Sequence, residues 1–264
     1  MTYAMFLVVF VILPILLLAW AMRSYLKRRQ GQLIALLALV ALVYTTPWDN
    51  YLVANRIWTY DPALVAGVTL GWVPIEEYSF FVLLPILTGL WLLALTRGST
   101  PLPAPVPDRP RLRRRSVFGI AVIWLIALAV LLSGWQPGTY LSITLVWALI
   151  PVSLQLAFGA DILWHYRRRV LLAVASATLY LSAADAVAID AGTWTINPQF
   201  SLPILIGGVL PLEEAVFFLL TNTLVVFGLT LALAPEARRR ILALRARLVV
   251  LAGGIRRPPE DAQA

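Results

Sequence analysis

The sequence predicts an all-α integral membrane protein, with seven transmembrane helices arranged as two parallel three-helix repeats joined by an extra helix. Three observations predict it. Of the 264 residues, 61% are hydrophobic and only 13% charged, about half the charged share of an ordinary soluble domain. The apolar residues gather into seven stretches of membrane-spanning length. Finally, the motif Gly-x-x-Pro-x-Glu-Glu-x-x-Phe-Phe occurs twice, at Gly71, Pro74, Glu76, Glu77, Phe80, Phe81 and at Gly208, Pro211, Glu213, Glu214, Phe217, Phe218, with every position shifted by 137.

The spans are expected at 3–22, 31–46, 65–95, 116–133, 139–161, 170–187 and 202–233. The third and seventh are long enough to tilt, bend or begin as a partly re-entrant segment, and they contain Pro74 and Pro211, where a helix loses a hydrogen bond and tends to kink. The first is read as a retained span rather than a signal peptide, since its Arg and Lys residues follow the apolar run instead of preceding it.

Basic residues set the orientation. Arg23, Lys27, Arg28 and Arg29 follow span one; Arg97 and the 109–115 cluster follow span three; Arg167, Arg168 and Arg169 follow span five; the tail follows span seven. Of 21 basic residues only Arg56 falls on the other side. The biased face is expected to be cytoplasmic, placing the N-terminus outside and the C-terminus inside the plasma membrane. The net charge of +8 is thus read as topology and contact with anionic lipids, not as nucleic-acid binding.

Residues 1–97 form the first repeat and 138–234 the second. The repeat extends beyond the glutamates: Asp49 and Trp58 match Asp185 and Trp194, and Pro14 matches Pro151. Segment 98–137 holds a proline-rich linker (Pro101, Pro103, Pro105, Pro107, Pro110), expected to be extended and exposed, and the connecting span. That extra crossing returns the chain so that the two copies run parallel about an axis along the membrane normal. The tail 235–264, with Arg238, Arg239, Arg240, Arg245, Arg247, Arg256 and Arg257 among apolar residues, reads as a helix on the membrane surface.

Carboxylates inside spans are expensive and mark functional sites. Parallel copies bring Asp49, Asp185, Glu76, Glu77, Glu213 and Glu214 towards one interface in the outer half of the membrane. Neighbouring glutamates point about 100° apart on a helix, so one of each pair faces the cleft and the other a neighbouring helix. With no Lys or Arg at that depth, burial and like-charge crowding favour the neutral acid, a proton donor. The residue-level alternative for each glutamate is a helix cap or a partner for backbone groups freed by proline. Trp48, Trp58 and Trp194 lie close enough in sequence to offer π faces to a cation, whereas Phe80, Phe81, Phe217 and Phe218 fit packing as readily as substrate contact.

Several classes drop out. The absence of cysteine removes disulfides, thiol catalysis and iron–sulfur sites. The single lysine, Lys27, sits at a span edge, which removes a retinal Schiff base. Aspartate-rich clusters for Mg²⁺ on a diphosphate are lacking, so no metal is expected. A proton-initiated enzyme acting on a lipid and a proton- or cation-coupled transporter both remain open.

Pro47-Trp48-Asp49-Asn50-Tyr51, followed by Trp58 and then Pro74-x-Glu76-Glu77, resembles the membrane-integral lycopene cyclases, the heterodimeric type of actinobacteria and its fused relatives in archaea, other bacteria and fungi. The resemblance runs to about residue 234. It implies a redox-neutral closure of the ψ-ends of lycopene into β-ionone rings, started by a carboxylic acid and ended by a base. Glu76 with Glu77, and Glu213 with Glu214, are then the candidate acid/base pairs, and Asp49 orients or reprotonates. Trp48, Asn50, Trp58, Phe80, Phe81, Asp185, Trp194, Phe217 and Phe218 are the candidate substrate contacts. The partners implied are lycopene or a related carotenoid and membrane lipid, with self-association left open. No cofactor is expected, because the chain lacks the Gly-x-Gly-x-x-Gly fingerprint of flavin-containing cyclases. The second copy departs from the first, with Ala184-Asp185-Ala186 where Trp48-Asp49-Asn50 stands, and this favours one composite site. An ε-ring or fifty-carbon cyclase and a hydratase are neighbouring readings.

Overall fold

A computed structural model describes residues 1–97 and 106–243. Seven helices long and apolar enough to cross a membrane run through these residues: α1 (Tyr3–Met22), α2 (Arg28–Ala54), α3 (Ile75–Thr96), α4 (Pro110–Leu132), α5 (Thr139–His165), α6 (Arg167–Asp190) and α7 (Leu212–Leu233). The protein is an all-α membrane protein, with three short two-stranded ribbons among the described residues: β1 (Trp58–Tyr60) pairs with β4 (Trp194–Ile196), β2 (Thr69–Leu70) with β3 (Val73–Pro74), and β5 (Leu205–Ile206) with β6 (Leu210–Pro211).

The long third and seventh spans are corrected. Residues 65–74 and 202–211 are not helical; each is a loop carrying a tight hairpin ahead of a shorter helix. The loops are apolar enough to read as membrane (Val68, Leu70 and Trp72; Ile204, Leu205 and Ile206), but the repeated glycines set their path. Gly71 has φ +66° and Gly208 φ +76°, the left-handed region that favours glycine. Pro74 and Pro211 do not kink a helix. They are N-cap residues in extended backbone, with ψ 151° and 142°, and the helix begins after them, where a missing N–H costs nothing.

Two of the prolines inside helices are answered across the molecule. Pro14 and Pro151 leave the carbonyls of Phe10 and Trp147 without their usual helical donors. Tyr180 on α6 donates its hydroxyl to Phe10 O, and Tyr44 on α2 donates to Trp147 O, each at 2.9 Å. In a bilayer such carbonyls must find a partner within the protein, so each tyrosine ties the second helix of one half to the first helix of the other.

The β1/β4 ribbon joins the halves at one end. Its antiparallel register pairs Trp58 with Ile196, Thr59 with Thr195 and Tyr60 with Trp194. Deeper, the buried Thr88 hydroxyl donates to Asn222 Oδ1 at 2.6 Å, linking α3 to α7. Interhelical hydrogen bonds of this kind contribute about 0.6–1.7 kcal/mol in membrane proteins. Asn222→Leu is expected to lower stability by about 1 kcal/mol, read as a shifted midpoint in denaturant unfolding from detergent micelles. The connecting helix α4 lies outside, packed on α5, where Trp124 Nε1 donates to Val146 O at 3.0 Å.

At the opposite end, arginines bind free helix carbonyls: Arg97 reaches Ala21 O and Arg29 reaches Ala232 O. Asp161 near the end of α5 accepts from Arg113 of α4 and from Arg240 of the short helix at 235–243. The start of the basic tail is therefore pinned by ion pairs to the bundle. Arg245, Arg247, Arg256 and Arg257, with Pro101, Pro103 and Pro105 of the linker, lie outside the described residues.

Candidate active site

The glutamate pairs occupy the first turns of α3 and α7. That position answers the absence of nearby cations, because unpaired backbone N–H groups give a helix start a partial positive charge. The two members of each pair diverge as their 100° spacing requires, but the outer member does not meet a neighbouring helix. Glu76 turns back to accept from Ala66 N, and Glu213 from Leu202 N, both at 2.6 Å. They hold the apolar loops that precede their own helices.

Glu77 and Glu214 turn inward. Glu77 Oε2 accepts from the hydroxyls of Tyr3 (2.5 Å) and Tyr60 (2.9 Å). Glu214 Oε1 accepts from the hydroxyl of Tyr140 at 2.7 Å. Both carboxyls line one small cavity with Asp185, and its walls are the rings of Tyr3, Phe6, Trp58, Phe80, Trp194, Phe217 and Phe218. The free space is about 10 Å³, the room of a single water. The chamber is thus shut, and side chains must move to admit anything larger. Both tyrosines thus bond the same oxygen of Glu77. Tyr60 remains a donor: desolvation, and then the neighbouring Glu77 and Asp49 charges, hold its phenol well above the ordinary value.

Asp49 and Asp185 sit at matched places but differ in their contacts. Asp185 Oδ1 accepts from Trp194 Nε1 at 3.0 Å. Asp49 is fully buried, and neither of its oxygens has a hydrogen-bond partner among the described residues; the indole N–H groups of Trp48 and Trp58 are likewise unpartnered.

The aromatic residues form a continuous lining. Trp194 lies 4.9 Å from both Tyr3 and Phe6, and Phe80 meets Phe218 edge-on at 6.4 Å. Trp48 stacks parallel on Phe217 at 5.6 Å. Phe81 packs beside Tyr78 and faces a groove on the other side of Phe80. Asn50 is not at the chamber. Its amide accepts from Trp72 N and donates to the Tyr78 hydroxyl, both at 2.9 Å, and it fills the space that a side chain at Gly71 would need. It fastens the 71–72 turn, so the sequence reading that made it a substrate contact is not supported by this placement.

Sequence reasoning missed Tyr3, Tyr140 and Tyr60. The first two carried a signal, since they stand 137 apart like the glutamates they serve. Tyr60 has Ile196 as its counterpart, so Glu77 has two phenol donors and Glu214 one.

The family model for lycopene cyclase matches residues 1–95 and 137–232. A lycopene beta-cyclase of Halobacterium salinarum is 40% identical over 209 residues, covering 78% of this chain and 84% of that protein. Bifunctional lycopene cyclase/phytoene synthases of Sporisorium reilianum and Gibberella fujikuroi are each 36% identical, over 77% and 80% of this chain. The chain spans only 31% and 37% of the length of those two. No solved structure matches. With most of its length inside the family model, and with a relative of similar size at this identity, the chain belongs to the lycopene cyclase family.

Proposed function

We propose that this protein is a lycopene β-cyclase, which closes the ψ-ends of lycopene into β-ionone rings by acid–base chemistry between Glu77 and Glu214. The observation that carries the reading is the meeting of these two carboxyls, from matched helix starts, in one chamber with aromatic walls. One carboxylic acid protonates the terminal double bond and leaves a tertiary carbocation. The neighbouring double bond attacks it, forming a ring carbon–carbon bond and moving the positive charge onto the ring. A carboxylate then removes a ring proton and restores a double bond. One proton enters and one leaves, with no net redox change, so the same pair can exchange roles between turnovers.

The rings of Trp58, Trp194, Phe217 and Phe218 offer π faces to the cation. The closed walls keep water from trapping it as an alcohol. Tyr3 and Tyr60 position Glu77, Tyr140 positions Glu214, and Asp49 relays protons to the pair. Glu76 and Glu213 hold the loops over the site. Tyr3→Phe and Tyr140→Phe each remove a hydrogen bond to a carboxylate worth about 1.5–3 kcal/mol. Each is expected to slow turnover about 10- to 100-fold with little change in folded yield, checked by initial rates on lycopene in detergent.

Two parallel repeats, 1–97 and 138–234, fit this arrangement, with 98–137 as linker and connecting span and 235–264 as basic tail. The symmetric β1/β4 register, the matched tyrosine–glutamate bonds and the two blocks of the family match support it. The basic ends of the helices face the cytoplasm and the chamber lies towards the outer leaflet of the plasma membrane. Lycopene dissolved in the bilayer is the partner. Both halves of the site come from one chain, so a second copy is not needed. Expression in a lycopene-accumulating bacterium, followed by pigment chromatography, tests the reading. β-Carotene or monocyclic γ-carotene is expected, and unchanged lycopene beside well-folded protein would refute it.

A further inference from the structure

We propose that the polyene enters sideways from the bilayer through one seam only, between α2 and α5, and that the matched seam between α6 and α1 is closed by Trp91. The proposal rests on the cyclase reading for its occupant, a linear polyene hydrocarbon.

The two halves meet along two matched seams. Tyr44 bonds the Trp147 carbonyl at the α2/α5 seam, and Tyr180 bonds the Phe10 carbonyl at the α6/α1 seam. Their interiors differ. At the α6/α1 seam the indole of Trp91, from α3, lies 5.4 Å from the Tyr180 ring and donates Nε1 to Ser176 Oγ at 2.9 Å. The residue matched to Trp91 in the second half, 137 further on, is Gly228. A Cβ at Gly228 would lie 3.1 Å from Leu37 and 3.3 Å from Gln155. Both residues line an apolar groove of about 320 Å³ at the α2/α5 seam. Where one seam holds an indole, the other holds a groove.

That groove leads to the chemistry. Its inner wall includes Phe80 and Phe217, the same rings that wall the acid chamber. Its outer wall includes Val40 and Leu154, which are 53% and 68% exposed and face the lipid side of their helices. An apolar trough open to the bilayer at one side, and separated from two carboxyls by two phenyl rings at the other, suits an extended hydrocarbon whose end must reach a proton donor. Displacement of Phe80 and Phe217 would admit the end group while the rest of the chain stays in the trough. A single entry also implies that the two ends of lycopene are cyclised in successive visits.

The chain has no cysteine, so single thiols can be placed at matched positions: Leu154→Cys at the mouth of the open seam and Leu17→Cys, 137 residues earlier, on α1. Both variants fold before they are labelled with a bulky pyrene maleimide in lipid nanodiscs, and unlabelled protein controls for the substitution. Labelling Leu154→Cys is expected to lower lycopene cyclisation by more than about tenfold, while labelling Leu17→Cys leaves it unchanged. Lycopene should also slow maleimide reaction at Leu154→Cys but not at Leu17→Cys, in a Glu77→Gln background that performs no chemistry. Full activity of labelled Leu154→Cys, equal losses at both positions, or no protection by lycopene would overturn the proposal. Protection by lycopene in a protein whose wild type leaves lycopene unconverted would uphold the entry and refute the cyclase chemistry.

Discussion

Glu77→Gln and Glu214→Gln are each expected to reduce lycopene cyclisation by at least about 100-fold, with folded protein recovered at the wild-type level. Glutamine preserves shape and can still accept from Tyr3, Tyr60 or Tyr140, so the loss isolates the proton. General acid–base groups contribute about 10²–10⁴-fold, and here both an acid and a base are required. Because both carboxyls line one chamber, each single variant should lose the first and the second ring together, without build-up of monocyclic product. Two independent sites would instead leave γ-carotene accumulating in each variant. Glu76→Gln and Glu213→Gln provide the contrast. An amide oxygen can still accept from Ala66 N or Leu202 N, so turnover should fall by no more than about threefold, a fraction of 1 kcal/mol. The measurement is pigment analysis of the four purified variants at matched protein concentration.

The second large effect is expected at Asp49. A fully buried aspartate with both oxygens unpartnered among the described residues is costly to maintain, and the proposed proton-relay role beside Glu77 fits that cost. Asp49→Asn keeps the volume and removes the exchangeable acid, and is expected to lower steady-state turnover by about 100-fold. Its matched partner should behave differently. Asp185 accepts from Trp194 Nε1, and an asparagine oxygen can take over that bond, so Asp185→Asn should lose about tenfold or less. Steady-state rates beside a single-turnover burst separate the relay from the chemistry. Loss confined to later turnovers supports relay, whereas loss in the first turnover places Asp49 in the chemical step itself.

Much of this site was legible in the sequence. Seven spans follow from apolar length, and the duplicated Glu-Glu pairs stood out because charge is rare in such segments. The divergence of Glu77 from Glu76 follows from helix geometry alone. Other features were hidden for physical reasons. The loops at 65–74 and 202–211 each carry six apolar residues in ten and so run on from the spans that follow them; the left-handed glycines at 71 and 208, with the extended prolines at 74 and 211, reveal that they are hairpins. Tyr3 and Tyr140 lie at the starts of their helices and look like ordinary interfacial aromatics until the 137-residue offset is applied to them. Tyr44 and Tyr180 become intelligible once the carbonyls freed by Pro151 and Pro14 are placed beside them. Asn50 was the opposite case: its neighbours in Pro47-Trp48-Asp49 lent it a role in the site, while its short amide side chain reaches the hairpin turn instead.

The central claim, that a carboxyl pair within the membrane supplies and removes the protons of ring closure, is tested most directly by cyclising lycopene with the purified protein in D₂O and weighing the product. Buried acids that exchange with solvent between turnovers deliver deuterium to the terminal double bond, so the account predicts one deuterium gained per ring formed, and no rings above background from Glu77→Gln. Rings formed without deuterium, or labelled rings formed by Glu77→Gln at the wild-type rate, would contradict it.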